Sequence, residues 1–126
     1  MQTVGRIDIK IYRCITDDIA TDEVIITPER IKHIEERHPG AYDKIKSFLQ
    51  LALAAPDYIL EDGKNPNTGI ILKLIEKDSF RFQMVLRIQT STDPKGFKNS
   101  IISGWEISRS RWQNYVNNKK ILYKKE

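Results

Sequence analysis

Apolar residues recur along this chain with two periods, and the change from one to the other divides it. In GRIDIKIYRCI, Ile7, Ile9 and Ile11 alternate with polar neighbours, the period of two that a strand with one buried face requires, and this predicts a first strand. The acidic TDDIATDE that follows reads as a loop leading to a short extended segment at Val24 to Ile26. A helix start comes next. Thr27 offers a capping hydroxyl, Pro28 suits a first helical position that needs no N–H, and Glu29 meets the positive helix end. The helix is expected from Pro28 to His38, stopped by Pro39 and Gly40. Helical spacing of Tyr42, Ile45, Phe48, Leu49, Ala52 and Leu53 predicts a second, core-facing helix from about Tyr42 to Ala54, closed by Pro56.

After Pro56 the pattern turns to strands: DYILED, GIILKLIEK, FRFQMVLRIQT and FKNSIISGWEIS, separated by the turn-rich KNPNTG, KDS and STDPKG. Short connections between successive strands imply an antiparallel meander. A short helix from Arg109 to Asn117 and a possible edge strand, ILYKKE, complete the chain. The fold expected is α+β: two N-terminal helices packed on one face of a four-stranded antiparallel sheet, with a short C-terminal helix. Lys73, Arg81 and Arg87 are expected on the other face. The 126 residues fit one domain, 1–126, without repeats or a linker.

Composition narrows the class. No apolar run approaches the roughly 20 residues of a membrane span, and MQTVGRIDIK lacks the apolar core of a secretory signal, so a cytoplasmic protein with no membrane partner is expected. Cys14 is the only cysteine, which excludes an internal disulfide and a cysteine-rich zinc site. The net charge of +4 is unevenly spread: residues 1–63 carry eight Lys/Arg against twelve Asp/Glu, and residues 64–126 carry thirteen against five. The basic half suits a polyanion, of which nucleic acid is the commonest in cells.

Both histidines lie in TPERIKHIEERHPG, residues 27–40. Helical spacing puts Ile31, Ile34 and His38 on one stripe and Arg30, His33 and Arg37 on another, with His38 at the rim of the buried stripe. A histidine is the usual group for moving a proton off a ribose 2′-hydroxyl, and Lys or Arg aimed at the phosphate stabilises the charge that develops there. Lys73 and Arg87 interrupt apolar strands, and Asn99, Ser100 and Ser103 in KNSIISGW offer polar groups to orient a phosphate or base. Trp105 beside them has a face on which a base can stack. Each has a plain structural reading as well: His38 favoured by the dipole of a helix C-terminus, His33 solvated, Lys73 and Arg87 on an exposed strand face, the Asn and Ser as ordinary strand polarity, Trp105 in the core. Histidines at i and i+5 do not share a helical face and no glycine-rich phosphate loop is present, so neither a metal nor another cofactor is expected.

The order ITPERIKHIEERHPG, a helix ending in APDYI, a strand carrying Lys73, then VLRIQT and KNSIISGW resembles the phage-associated branch of the barnase, EndoU, colicin and RelE-like nucleases. The resemblance covers roughly residues 24–123, and HIEERHP and NSIIS are its most specific pieces. It implies a metal-independent toxin-type endoribonuclease of a phage or polymorphic-toxin system, cleaving cellular RNA by 2′-hydroxyl transphosphorylation. The family's positions fall on His38, with Arg37 beside it, on Lys73 and Arg87, and on Ser100 or Ser103, the last where the family commonly has Thr. Substrate contacts are expected from Arg37, His33, Asn99 and Trp105. Expected partners are RNA, either tRNA or mRNA, and an antitoxin or immunity protein. The competing expectation is a non-catalytic RNA-binding or partner-binding module on the same fold.

Overall fold

The structure, a computed structural model, describes residues 2–126. Its strands are β1 (Gln2–Arg6), β2 (Glu23–Ile26), β3 (Tyr58–Glu61), β4 (Thr68–Ile75), β5 (Phe80–Arg87), β6 (Asn99–Glu106) and β7 (Ile121–Lys124). Its helices are α1 (Ile9–Tyr12), α2 (Pro28–Arg37), α3 (Ala41–Ile45), α4 (Leu49–Ala54) and α5 (Arg109–Asn118).

The meander β3 to β6 forms as expected, each strand antiparallel to the next. The sheet around it is larger than the four strands expected. It has seven, in the order β1-β2-β6-β5-β4-β3-β7, and it is mixed, because β2 runs parallel to β6 through Val24–Asn99 and Ile25–Ser100. Only those two pairs form, so most of β6 extends beyond the end of β2, and α2 and α3 both pack against β6.

Two further expectations are corrected. The alternation at Ile7, Ile9 and Ile11 is not a strand: β1 ends at Arg6, and Asp8 caps a single helical turn by accepting from the Lys10 N–H at 3.0 Å. That turn buries Tyr12, whose hydroxyl donates to the Leu53 carbonyl at 2.8 Å. The second helix is interrupted by a 3₁₀ turn over Lys46–Phe48, where Phe48 meets Phe80 and Phe82 at centroid distances of 5.9 and 6.5 Å.

Strand alternation sorts the core onto two faces. Ile59, Ile71, Phe82, Met84, Leu86 and Ile101 pack with Ile34, Ile45, Leu49 and Leu53 of α2 to α4. Leu60, Ile70 and Leu72 pack with Ile107 and with Trp112 of α5. The second face is therefore covered by α5, and Lys73 is on the first, below the end of α4. Full burial of aliphatic and aromatic side chains such as these stabilises the fold by roughly 1.5–3 kcal/mol each. No helix among the described residues is long and apolar enough to cross a membrane.

Candidate active site

The end of α2 is built as the sequence predicts. Thr27 caps it, its hydroxyl accepting from the Arg30 N–H at 3.2 Å, and Pro28 opens it. At the other end the backbone of His38 is fixed twice: its N–H donates to the Ile34 carbonyl at 2.8 Å, and its carbonyl accepts from the Ala41 N–H at 2.9 Å. The reversal between them uses Gly40 at φ +82°, a left-handed conformation that favours glycine. Glu35 clamps this turn, its carboxylate accepting from the N–H groups of Gly40 at 2.6 Å and Tyr42 at 3.2 Å. Because these bonds run through the backbone, none of them engages the His38 imidazole.

That ring stacks on Trp105, with centroids 4.4 Å apart and planes 16° from parallel. Trp105, on β6, is half-buried and packs against both hydrophobic clusters, so it is a rigid support. Two hollows flank the stack and share Arg37, His38 and Trp105. One, about 110 Å³, adds His33, Ile102 and Ser103; the other, about 290 Å³, adds Pro39, Lys44 and Glu106. The larger is at the low end of the roughly 300–1,000 Å³ typical of small-ligand sites. Lys44 and Glu106 form an exposed ion pair at 3.3 Å, a geometry that contributes little to stability and leaves both groups open to a ligand.

His33, Arg37, His38, Ser103 and Trp105 are thus brought together. Four other expected residues are elsewhere. Lys73 is buried, and its Nζ donates to the Ala55 carbonyl at 2.7 Å with the Asp57 carboxylate 3.8 Å away. Arg87 makes a bidentate pair with Asp93 at 2.9 and 3.0 Å and also donates to the Ile88 carbonyl. Its guanidinium and Thr90 hold the Asp93 carboxyl down to about 2, below its ordinary value of 3.8. Asn99 is fully buried, with its side-chain oxygen accepting from the Gln89 N–H and its amide donating to the Thr21 carbonyl, each at 2.7 Å. Ser100 borders a different hollow, with Thr27, Phe97 and Lys98. Trp105, expected to receive a base, has one face covered by His38.

Sequence reading missed Lys44 and Glu106. Lys44 is polar on a helix selected for its apolar stripe, and Glu106 ends a strand selected for its hydroxyls. Only the packing of α3 on β6 unites them. It depends on Gly104, where an added Cβ would be 2.9 Å from Ile45 Cδ1 and 3.1 Å from the Gln83 carbonyl oxygen.

In comparison with known proteins, residues 1–124 match the family described as PBECR2, phage-Barnase-EndoU-ColicinE5/D-RelE like nuclease2. No curated protein matches the chain, and no solved structure does.

Proposed function

The chain belongs to this phage-associated, barnase-like nuclease family, and from that premise we propose that it is a metal-independent endoribonuclease whose site is the His38–Trp105 cleft. The observation that carries the reading is the stacked, backbone-fixed His38 between two hollows lined by cations and a carboxylate.

Cleavage by transphosphorylation forms a bond from the ribose 2′-oxygen to phosphorus and breaks the bond from phosphorus to the 5′-oxygen. One proton leaves the 2′-hydroxyl and one reaches the departing 5′-oxygen, so the site needs an acceptor and a donor. Glu106 is the acceptor and His38, in its protonated form, the donor. Arg37 and Lys44 meet the charge on the phosphorane oxygens, and Ser103 hydrogen-bonds the bound nucleotide. Trp105 is a positioning residue that fixes the imidazole plane. Lys73, Arg87 and Asn99 hold the fold. An active ribonuclease made in a cell's own cytoplasm needs restraint, so this reading implies an antitoxin or immunity protein that covers the cleft.

Incubation of the protein with total tRNA and with mRNA in EDTA tests the reading. Fragments with 2′,3′-cyclic phosphate ends are expected. Intact RNA after incubation with folded protein, together with retained binding, would replace this reading with a non-catalytic module.

A further inference from the structure

The positive charge of this molecule is concentrated toward the end of its chain. From Ile107 to Lys125 the chain has Arg109, Arg111, Lys119, Lys120, Lys124 and Lys125 and no carboxylate, a net of +6. The remainder, with 15 Lys/Arg against 17 Asp/Glu, is at −2. The whole excess is carried by this C-terminal segment, with Arg109 and Arg111 on α5, Lys124 on β7, and Lys119, Lys120 and Lys125 in the residues that flank β7.

Trp112 turns α5 toward the sheet face opposite α2 to α4. Arg111 and Tyr115 share a different stripe of the helix at i and i+4, and Lys119, the extended residue that ends the helix, comes back over the same ring. Both cations rest over the Tyr115 ring, Arg111 at 5.9 Å and Lys119 at 5.3 Å, so the stripe is braced. Exposed Ser110, Gln113, Asn114, Asn117 and Asn118 add neutral hydrogen-bonding groups. Among the described residues, Arg109, Arg111, Lys119 and Lys124 are in no ion pair, and Lys120 and Lys125 have only long contacts of 4.0 and 3.8 Å to Glu61 and Asp57. A surface shaped for solubility alone mixes both signs. Here α5 and β7 contribute no acid, and the carboxylates of Glu61 and Asp57 come near only at those long distances, which suits a polyanion with closely spaced phosphates.

We propose that α5, with the lysines that follow it, is a second RNA-binding surface that holds the phosphate backbone of a folded RNA without reading its sequence. The proposal rests on the ribonuclease reading for its choice of RNA and implies a substrate longer than the cleft. A segment of it reaches His38 while a neighbouring segment is held by α5.

The test compares wild-type protein with the triple variant Arg109→Gln, Arg111→Gln, Lys119→Gln, after circular dichroism has established that both are folded. Binding of total tRNA is measured across a salt series, with and without His38→Ala, and turnover of a short single-stranded oligoribonucleotide is measured separately. In the triple variant, tRNA affinity is expected to fall by about tenfold or more, and the slope of log K against log salt to become shallower by roughly 2–3, at about 0.7–0.9 per lost phosphate contact. Turnover of the short oligonucleotide is expected to stay as in wild type. Should the triple variant not fold, Arg109→Gln and Arg111→Gln singly carry the same reading, with about a third of the slope change each. Unchanged tRNA affinity and slope would overturn the proposal. So would a wild-type protein that ignores tRNA and binds polyglutamate through these residues, which assigns the surface to an acidic protein. Because binding is read with His38→Ala as well, loss of the α5 effect and loss of cleavage are separate results.

Discussion

At the residue scale, His38 and Lys73 show how little a residue type reveals about its task. His38 was singled out as a histidine at a helix end and Lys73 as a cation interrupting an apolar strand, and their chemistry was legible in the sequence. Their surroundings were not. His38 is followed by Pro39 and Gly40, so its position at a helix end was predictable, and the ring that fixes it comes from β6, 67 residues later in the chain. Lys73 is directed by strand alternation to the face covered by α4, where it satisfies the Ala55 carbonyl. A buried donor of this kind is costly to remove, and its loss is expected to destabilise the protein by about 1–3 kcal/mol. Arg87 follows the same logic, tied to Asp93 in the loop that leads into β6. The depressed Asp93 carboxyl makes that loop acid-sensitive. Its folded value is about 2 against an ordinary 3.8, so its contribution to stability is fully present above about 4 and is lost as pH falls toward 2. Thermal melts of wild type are expected to decline more steeply over that interval than those of Asp93→Asn. Parallel declines would show that the Arg87–Asp93 pair does not govern the acid limb.

At the scale of elements, the meander β3 to β6 and helices α2 and α5 were legible because local chemistry and hydrophobic period agreed. Thr27 and Pro28 started α2, Pro39 and Gly40 stopped it, and Ser108 caps α5 by accepting from the Arg111 N–H at 3.0 Å. The misread segment, Ile7 to Tyr12, has an alternation that Asp8 overrides by capping a turn at close range. A local hydrogen bond decided it, and period alone carried no trace of that bond. Extended segments were expected at Val24 to Ile26 and at ILYKKE, but their joining of one seven-stranded sheet was not. β2 and β7 have four residues each, and their pairing with β6 and β3 is non-local. At this scale the site depends on the close approach of α3 to β6 at Gly104. Gly104→Val is expected to push Ile45 outward, lower the melting temperature and reduce turnover together, because Lys44 follows α3 away from Glu106. A folded Gly104→Val protein with wild-type turnover would show that Lys44 is not part of the site.

For the molecule as a whole, α2 to α4 cover one face of the sheet and α5 covers the other, with the proposed cleft beside α2 and α3 and the C-terminal cations on and after α5. The charge asymmetry was visible in the sequence, but the placement of α5 on the second face depended on which way Trp112 points. The family match spans 124 of the 126 residues and places the chain among barnase-like nucleases. The central claim is that cleavage occurs at His38 and not at the Lys73 strand. Its most direct test is the single-turnover cleavage rate of a defined RNA in EDTA, measured side by side for wild type, His38→Ala and Lys73→Met at a temperature where all three are folded. Loss of the histidine is expected to slow cleavage by about 10²–10⁴-fold, the usual contribution of a positioned acid or base, while Lys73→Met cleaves at close to the wild-type rate despite its lower melting temperature. A His38→Ala protein as fast as wild type, or a folded Lys73→Met protein that no longer cleaves, would contradict the account.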